Sequence, residues 1–419
     1  MRSRNFSFLS VIIVIFLVID VYVFQGVRVL VHSYTPLFKK LIYAFYWSFT
    51  VLTLAGLFYF VASPEKWTRV MKVVYFGGVT SLYFTKFIYF IFVLLDDLIR
   101  LFRWIVQKAT LLYNHQPLAY GAEINRSEFL LKAGLAVAAV PFVGMLYGIL
   151  VGAHDYRVKR VKVKLKDLPD AFEGLRIAHI SDIHAGSFYN KVAVQRGVKM
   201  LMDQHPDLVF FTGDLVNDRA VEVEKYIEVF KEIQAPLGVF SVLGNHDYGD
   251  YVPWSSKEER TENLTRLIDA HKRMGWDLLM DEHRILRKGK DAIALIGVQN
   301  WGKGDNWPKY GRLNKAYPGT EKYPVKLLLS HDPSHWDAQV RPGYPDIDIT
   351  FSGHTHGFQF GIEAAGIKWS PVQYKYKQWA GLYQEGNQYI YVNRGFGFIG
   401  FPGRLGMPPE ITIMELDKA

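Results

Sequence analysis

Five short polar motifs each follow an apolar run: Asp182-Ile183-His184, Gly213-Asp214, Gly244-Asn245-His246-Asp247, Ser330-His331-Asp332 and Gly353-His354-Thr355-His356-Gly357. Carboxylate and amide oxygens are the donors that hard divalent cations take, and imidazole adds affinity for manganese, iron, cobalt and zinc. Asp182 and His184, two apart at a strand end, can project to one side and grip a single ion. Asp214 is a lone carboxylate suited to bridging two ions, and Asn245 offers a neutral carbonyl oxygen. His331, His354 and His356 complete two coordination spheres. The chain has no cysteine, which excludes disulfides, thiolate metal sites and a cysteine nucleophile. A mixed nitrogen and oxygen donor set argues against a structural zinc. One such motif is accounted for by the preference of Asp and Asn for turns; five in one half of a chain are not.

The elements that must position these residues alternate. Strands are expected at 176–180, 208–212, 239–243, 292–298, 325–329, 347–351, 389–392 and 411–414, with helices at 191–204, 222–233 and 261–274. Early strand–helix alternation followed by denser strands implies two sheets packed face to face with helices outside. Every motif falls just beyond the end of a strand, where open α/β sheets bind ligands. Gly213, Gly244 and Gly353 lie where strands turn sharply and the backbone must pass close to a bound group. Among the other histidines, His179 reads as a core residue, His205, His271 and His283 as surface, and His335 as a structural neighbour of His331.

These motifs resemble the signature of the calcineurin-like metallophosphoesterases, D-x-H, G-D, G-N-H-[DE], H and G-H-x-H, over about residues 172–416. The continuation Gly357-Phe358-Gln359, the triplet Asn393-Arg394-Gly395 and the run from Pro408 to Thr412 are similar to a membrane-associated bacterial branch related to UDP-2,3-diacylglucosamine hydrolases. The resemblance implies a four-layer αββα sandwich with a two-metal centre. It assigns Asp182, His184, Asp214 and His356 to one ion, and Asp214, Asn245, His331 and His354 to the other. It makes His246 the acid that is not a ligand, oriented by Asp247, with hydrolysis by a hydroxide held between the metals. Two divalent ions are implied, manganese first, with iron, zinc or cobalt as alternatives. Arg394 and Arg404, in glycine-rich segments, are candidates for substrate phosphate contact, with packing roles equally open.

The N-terminal third is of another kind. Apolar stretches at 9–30, 41–61, 74–95 and 129–151 each reach the roughly 20 residues needed to span a bilayer, with aromatic residues such as Tyr43 and Trp47 near their ends. Expected boundaries are a membrane domain at 1–153, a basic linker or edge strand at 154–171 and a catalytic domain at 172–419. The alternating basic run at 157–166 suits either a solvated edge strand or contact with anionic headgroups. Asp20 and Lys86 fall inside spans, where unpaired charges are costly, so they are expected to face inward and pair, as a structural device. With termini inside, eleven basic residues flank the inner ends against seven outside, which places the catalytic domain in the cytoplasm of a bacterial inner-membrane protein. The stretch from Asn125 to Leu130, similar to a twin-arginine signal with its second Arg replaced by Ser, points outward instead.

Residues 1–166 carry 20 Lys and Arg against 7 Asp and Glu, while residues 167–419 carry 29 against 33. The overall charge of +9 therefore belongs to the membrane part, and the catalytic half lacks the basic surface of a nucleic-acid enzyme. The expected partners are the lipid bilayer and a phosphoester substrate, lipid-linked or nucleotide-linked, with no nucleic acid and no protein partner. Aromatic segments at 301–310 and 369–379 suit an apolar wall over the substrate, or packed loops. The rival readings are a phosphatase for soluble cyclic nucleotides or monoesters, with the helices as anchor, and a non-catalytic membrane interaction module. An intact His246, which metal binding does not need, speaks against the latter.

Overall fold

The computed structural model describes residues 2–114, 126–304, 309–364 and 366–419. Asn125 of the signal-like stretch and residues 305–308 of the first aromatic segment lie outside the described residues. The chain forms two compact units, Met1–Tyr147 and Gly148–Ala419.

The first unit is helical: α1 (Arg2–Leu30), α2 (Pro36–Ala62), α3 (Arg69–Asn114) and α4 (Arg126–Leu150). All four are long and apolar enough to cross a membrane. At 1.5 Å per residue α3 extends about 69 Å, more than twice a hydrocarbon core of about 30 Å, so the apolar stretch at 74–95 is only its first half. Asp20 and Lys86 meet as expected, Nζ to Oδ1 at 2.5 Å, both buried. Thr50 and Tyr83 donate to the other carboxylate oxygen at 2.6 and 2.8 Å. The ammonium lies 4.7 and 4.9 Å from the ring centres of Tyr46 and Tyr83, so both charges are compensated away from water. Removing one partner strands the other: Lys86→Met or Asp20→Asn alone should cost about 3–5 kcal/mol. The double substitution should cost less than the two single losses together. Thermal aggregation of the detergent-solubilised protein checks this, and simple additivity would refute the coupling.

The second unit holds two six-stranded sheets. The strands are β1 (Arg157–Leu165), β2 (Leu175–Ile180), β3 (Leu208–Phe211), β4 (Val239–Ser241), β5 (Asp277–Leu278), β6 (Glu282–Lys288), β7 (Asp291–Gly297), β8 (Lys326–Leu329), β9 (Ile349–Ser352), β10 (Ile362–Ala364), β11 (Ile367–Trp369), β12 (Gly381–Glu385), β13 (Gln388–Val392) and β14 (Glu410–Lys418). One sheet runs β1-β14-β2-β3-β4-β5 and the other β12-β13-β9-β8-β7-β6, with β10-β11 a separate hairpin. Ile177, Leu208 and Phe210 of the first sheet meet Leu295, Leu327, Leu329 and Phe351 of the second in one core. Their alternates Ala178, Ile180, Val209 and Phe211 face α5 (Lys191–Met202), α6 (Ile227–Phe230) and α7 (Lys257–Met274) in another. Ile296, Leu328 and Val392 face short helical segments around Trp336 and Val340. Strands buried on both faces need no polar alternation, which is why these runs are continuously apolar. The result is the helix–sheet–sheet–helix sandwich expected.

Several expectations change. The helix expected at 222–233 is two 3-10 turns followed by the single turn of α6, in a segment rich in β-branched Val221, Val223, Ile227 and Val229 that favours helix poorly. His271 is buried rather than at the surface, its Nδ1 3.0 Å from the Ser241 hydroxyl. It lies on the face of α7 turned to the sheet. The basic run, by contrast, forms one of the two arrangements expected of it, an edge strand at 157–165 in parallel register with β14.

Candidate metal centre

The ligand-bearing loops are bound to one another before any ion is considered. The β2 loop donates Asp182 N to Gly213 O at 2.9 Å and His184 N to Asp214 O at 3.0 Å. A Cβ on Gly213 would meet the backbone of Gly244 at 2.4 Å, and one on Gly353 would meet Asp182 Oδ2 at 2.2 Å, so glycine is required for the loops to close. Asp182, His184, Asp214, His354 and His356 all have φ between 47 and 71°. That left-handed region is costly for residues with a Cβ and tends to cluster at functional sites.

Two groups of donors result. Asp182, His184 and His356 have ligand atoms within 4.8 Å of one another, as do Asp214, His331 and His354. His184 and His356 aim their Nε2 atoms at each other across 3.1 Å. Two ligands at right angles on bonds of about 2.1 Å would sit about 3.0 Å apart, so the spacing fits a shared ion. Asp214 Oδ2 lies 3.5 Å from His184 Nε2 and 3.2 Å from His331 Nε2, which places one carboxylate oxygen against both groups. Asn245 Oδ1 faces the second group, 3.2 Å from His331 Nε2 and 2.8 Å from His354 Nδ1. Its amide nitrogen donates to the Tyr251 hydroxyl at 2.9 Å, which fixes the orientation. His331 Nδ1 donates to the Thr212 carbonyl at 2.6 Å, which turns Nε2 inward, where it would ligate an ion that displaces its proton. Burial favours neutral His331, but the Asp214 carboxylate overrides it and lifts the ring to about 10. The pocket thus favours positive charge, and two carboxylates, an amide oxygen and four imidazoles suit divalent ions with nitrogen and oxygen preferences.

His246 and Asp247 divide their work differently from the expectation. The Asp247 carboxylate does not orient the His246 ring. It accepts from the backbone N–H groups of Asp214 and Gly244 at 2.8 Å each on one oxygen, and of Leu215 and Val216 at 2.8 and 3.3 Å on the other. It clamps the second loop to the third. Burial and the charge of Asp214 push this carboxyl up to about 7, while the backbone donors favour its ionised form. The ring of His246 is held instead by the Asn217 carbonyl, which accepts from Nδ1 at 2.7 Å. That bond presents Nε2, with the ring edge-on to His184 at a centroid separation of 5.0 Å.

Arg394 and Arg404 are both buried, with their guanidinium groups engaged inside the protein. Arg404 donates to the carbonyls of Gly397, Arg394 and Met407 at 2.5 to 3.1 Å, a knot of backbone around the last loop. Arg394 binds both oxygens of Glu363 at 2.6 and 2.9 Å and holds that carboxyl down at about 2. His335 is structural, between Ser330 Oγ at 2.8 Å and Gln339 at 3.1 Å. Sequence reasoning missed Asn217, Tyr251 and Tyr376, whose hydroxyl lies 2.8 Å from His354 Nε2. Tyr376 lies within the aromatic segment singled out at 369–379; Asn217 acts through its backbone and leaves no signal of residue type.

Residues 175–358 match the family model for calcineurin-like phosphoesterases, and residues 3–153 that for a probable calcineurin-like phosphoesterase transmembrane domain. The chain belongs to the calcineurin-like phosphoesterases, in a form with a four-helix transmembrane domain ahead of the phosphoesterase domain. It is 29% identical over 282 residues to a zebrafish (Danio rerio) transmembrane protein with metallophosphoesterase domain, covering 65% of this chain and 60% of that protein. It is 27% identical over 300 residues to an uncharacterized metallophosphoesterase of Bacillus subtilis, covering 70% of this chain and 98% of that one. A UDP-2,3-diacylglucosamine pyrophosphatase of Chlamydia trachomatis is 27% identical over 331 residues, covering 67% of this chain and 94% of its own. The match thus spans less than two thirds of the zebrafish protein.

Proposed function

We propose that this chain is a membrane-anchored, two-metal phosphoesterase that cleaves a phosphodiester or pyrophosphate bond in a lipid-linked or nucleotide-linked substrate. The observation that carries the reading is the single Asp214 oxygen set against two groups of donors, with a histidine beside them that the groups do not use. Asp182, His184, Asp214 and His356 would hold one divalent ion, and Asp214, Asn245, His331 and His354 the other, manganese being the first choice. Such ions supply Lewis acidity to phosphoryl oxygens and lower the pKa of bound water. The protein itself fixes the donors through strained loops, keeps His331 in its ligand tautomer, and holds His246 so that Nε2 can deliver a proton to the leaving oxygen. The acidic balance of residues 167–419 supports a substrate other than nucleic acid.

The membrane domain and the Chlamydia relative's substrate support a lipid-borne ester. The test is hydrolysis by the purified full chain with manganese, on a panel containing UDP-diacylglucosamine, a cyclic nucleotide and a phosphomonoester. Metal-dependent cleavage with preference for the lipid-linked pyrophosphate is expected; preference for the soluble esters would reject the membrane substrate. The excess of basic residues on the inner flanks supports a cytoplasmic catalytic domain in a bacterial inner membrane. Because the chain has no cysteine, a Lys288→Cys variant in intact cells reports the side directly. An impermeant maleimide should label it only after lysis, and labelling before lysis would put the domain outside.

A further inference from the structure

From the hairpin β10-β11 we infer that the catalytic domain rests an apolar blade in the lipid bilayer beside its metal loops. The register pairs Ile362 with Trp369, Glu363 with Lys368 and Ala364 with Ile367. Directly opposed residues share a face, and side chains alternate along each strand. Ile362, Ala364, Ile367 and Trp369 therefore lie on one face, joined by Phe360, whose ring meets Trp369 edge to face at 6.0 Å. The opposite face is polar and anchored. Glu363 is bound by Arg394 and by Lys159 at 3.2 Å, and the Lys368 ammonium donates to the Ala380 carbonyl at 2.5 Å. This explains the engaged Arg394: it ties the hairpin to the domain.

The apolar face is open, with Ile362 50% and Ile367 59% exposed. Phe358, at the root of the hairpin and two residues after the ligand His356, is 60% exposed in a left-handed conformation with φ 58°. A phenylalanine held in that conformation with its ring in the open is strained twice over, in backbone and in hydration. The stem is rigid. Gln359 is buried, donates to the carbonyls of Phe401 and Gly403 at 2.9 and 3.1 Å, and accepts from Ile399 N at 2.6 Å. A two-stranded hairpin gains nothing by exposing such a face to water, whereas Trp, Phe and Ile with lysines close by suit the membrane interface. The bilayer is the occupant because this chain carries four helices long and apolar enough to cross one. Seated there, the blade would bring the loop of His354 and His356 to the depth of a lipid phosphoester. The inference deepens the lipid-substrate reading, but its test needs no turnover.

The cysteine-free full chain is labelled with an environment-sensitive dye at Ile367→Cys or, separately, at Ile362→Cys. It is reconstituted into phosphatidylcholine–phosphatidylglycerol vesicles containing doxyl-labelled lipid. Lys288→Cys, exposed on β6 at the opposite edge of the sheet that ends in β12, is the reference. Both hairpin dyes should be quenched several-fold more than the reference, and Ile362→Glu in the Ile367→Cys background should abolish the difference. Hairpin quenching no greater than at Lys288 would overturn the inference. So would self-quenching that follows the density of labelled chains rather than doxyl lipid, which would assign the face to a second copy. Either result would leave metal-dependent hydrolysis standing, and an inactive but quenched preparation would separate the two in the other direction.

Discussion

Asp214→Asn should empty both metal positions at once and reduce hydrolysis by at least about 1000-fold, as expected when a two-metal clamp is lost. Among the described residues, no other side chain has one carboxylate oxygen against rings from both donor groups, 3.5 Å from His184 and 3.2 Å from His331. The substitution keeps the hydrogen bonds that hold the loops. Oδ1 accepts from the His246 backbone N–H at 2.8 Å, which an asparagine carbonyl can retain, and the Asp247 clamp is untouched. What changes is the oxygen between the rings, replaced by an amide nitrogen that cannot ligate. The same substitution removes the charge that lifts His331 to about 10, so the unmetallated variant loses the stabilisation of that buried pair and should melt below the unmetallated wild type at neutral pH. Thermal stability distinguishes this from misfolding. A ligand at 100 times its Kd stabilises by about 2.7 kcal/mol per site, so manganese should raise the wild-type Tm and leave that of the variant unchanged. A variant that keeps one tightly bound ion per chain by elemental analysis would refute the bridging role.

The two-layer arrangement was legible because strands buried on both faces leave long apolar runs, and because each polar motif follows one of them. Of the edge strands, β1 was legible from its alternating basic run, but β6 and β12 were not. Both are rich in charged and polar residues and largely exposed, a pattern that reads as loop. At the centre, residue types and spacing identified every ligand candidate that the structure gathers, since metal affinity is written in side-chain chemistry. The supporting contacts were hidden for the converse reason. Thr212 orients His331 and Asn217 orients His246 through backbone carbonyls, which any residue possesses. Asp247 was noticed, but as a partner for its neighbour His246; its four backbone bonds depend on how two distant loops fold together. Arg394 and Arg404 stayed ambiguous in the sequence because an arginine in a glycine-rich loop looks the same whether it waits for phosphate or secures backbone.

His246→Ala should separate binding from chemistry. The ring belongs to neither donor group, so the variant should retain about two ions per chain while its turnover falls by about 100- to 10,000-fold, the range for loss of a general acid. The size of the fall should depend on the leaving group. A nitrophenolate departs readily without a proton, whereas an alkoxide or a lipid-linked phosphate is assisted by one. Loss of a proton donor therefore costs far more with the poorer leaving group. The hydrogen bond from Nδ1 to the Asn217 carbonyl sharpens this expectation. With Nδ1 committed as donor, the proton in play must be on Nε2, and a His246→Gln variant, which can donate a hydrogen bond but not transfer a proton, should recover little of the loss. Comparing kcat for nitrophenyl and alkyl diesters in the wild type and both variants is decisive. Equal losses for both leaving groups would show that His246 acts by stabilising phosphoryl charge instead, and loss of metal with the ring would show that it supports the ligands after all.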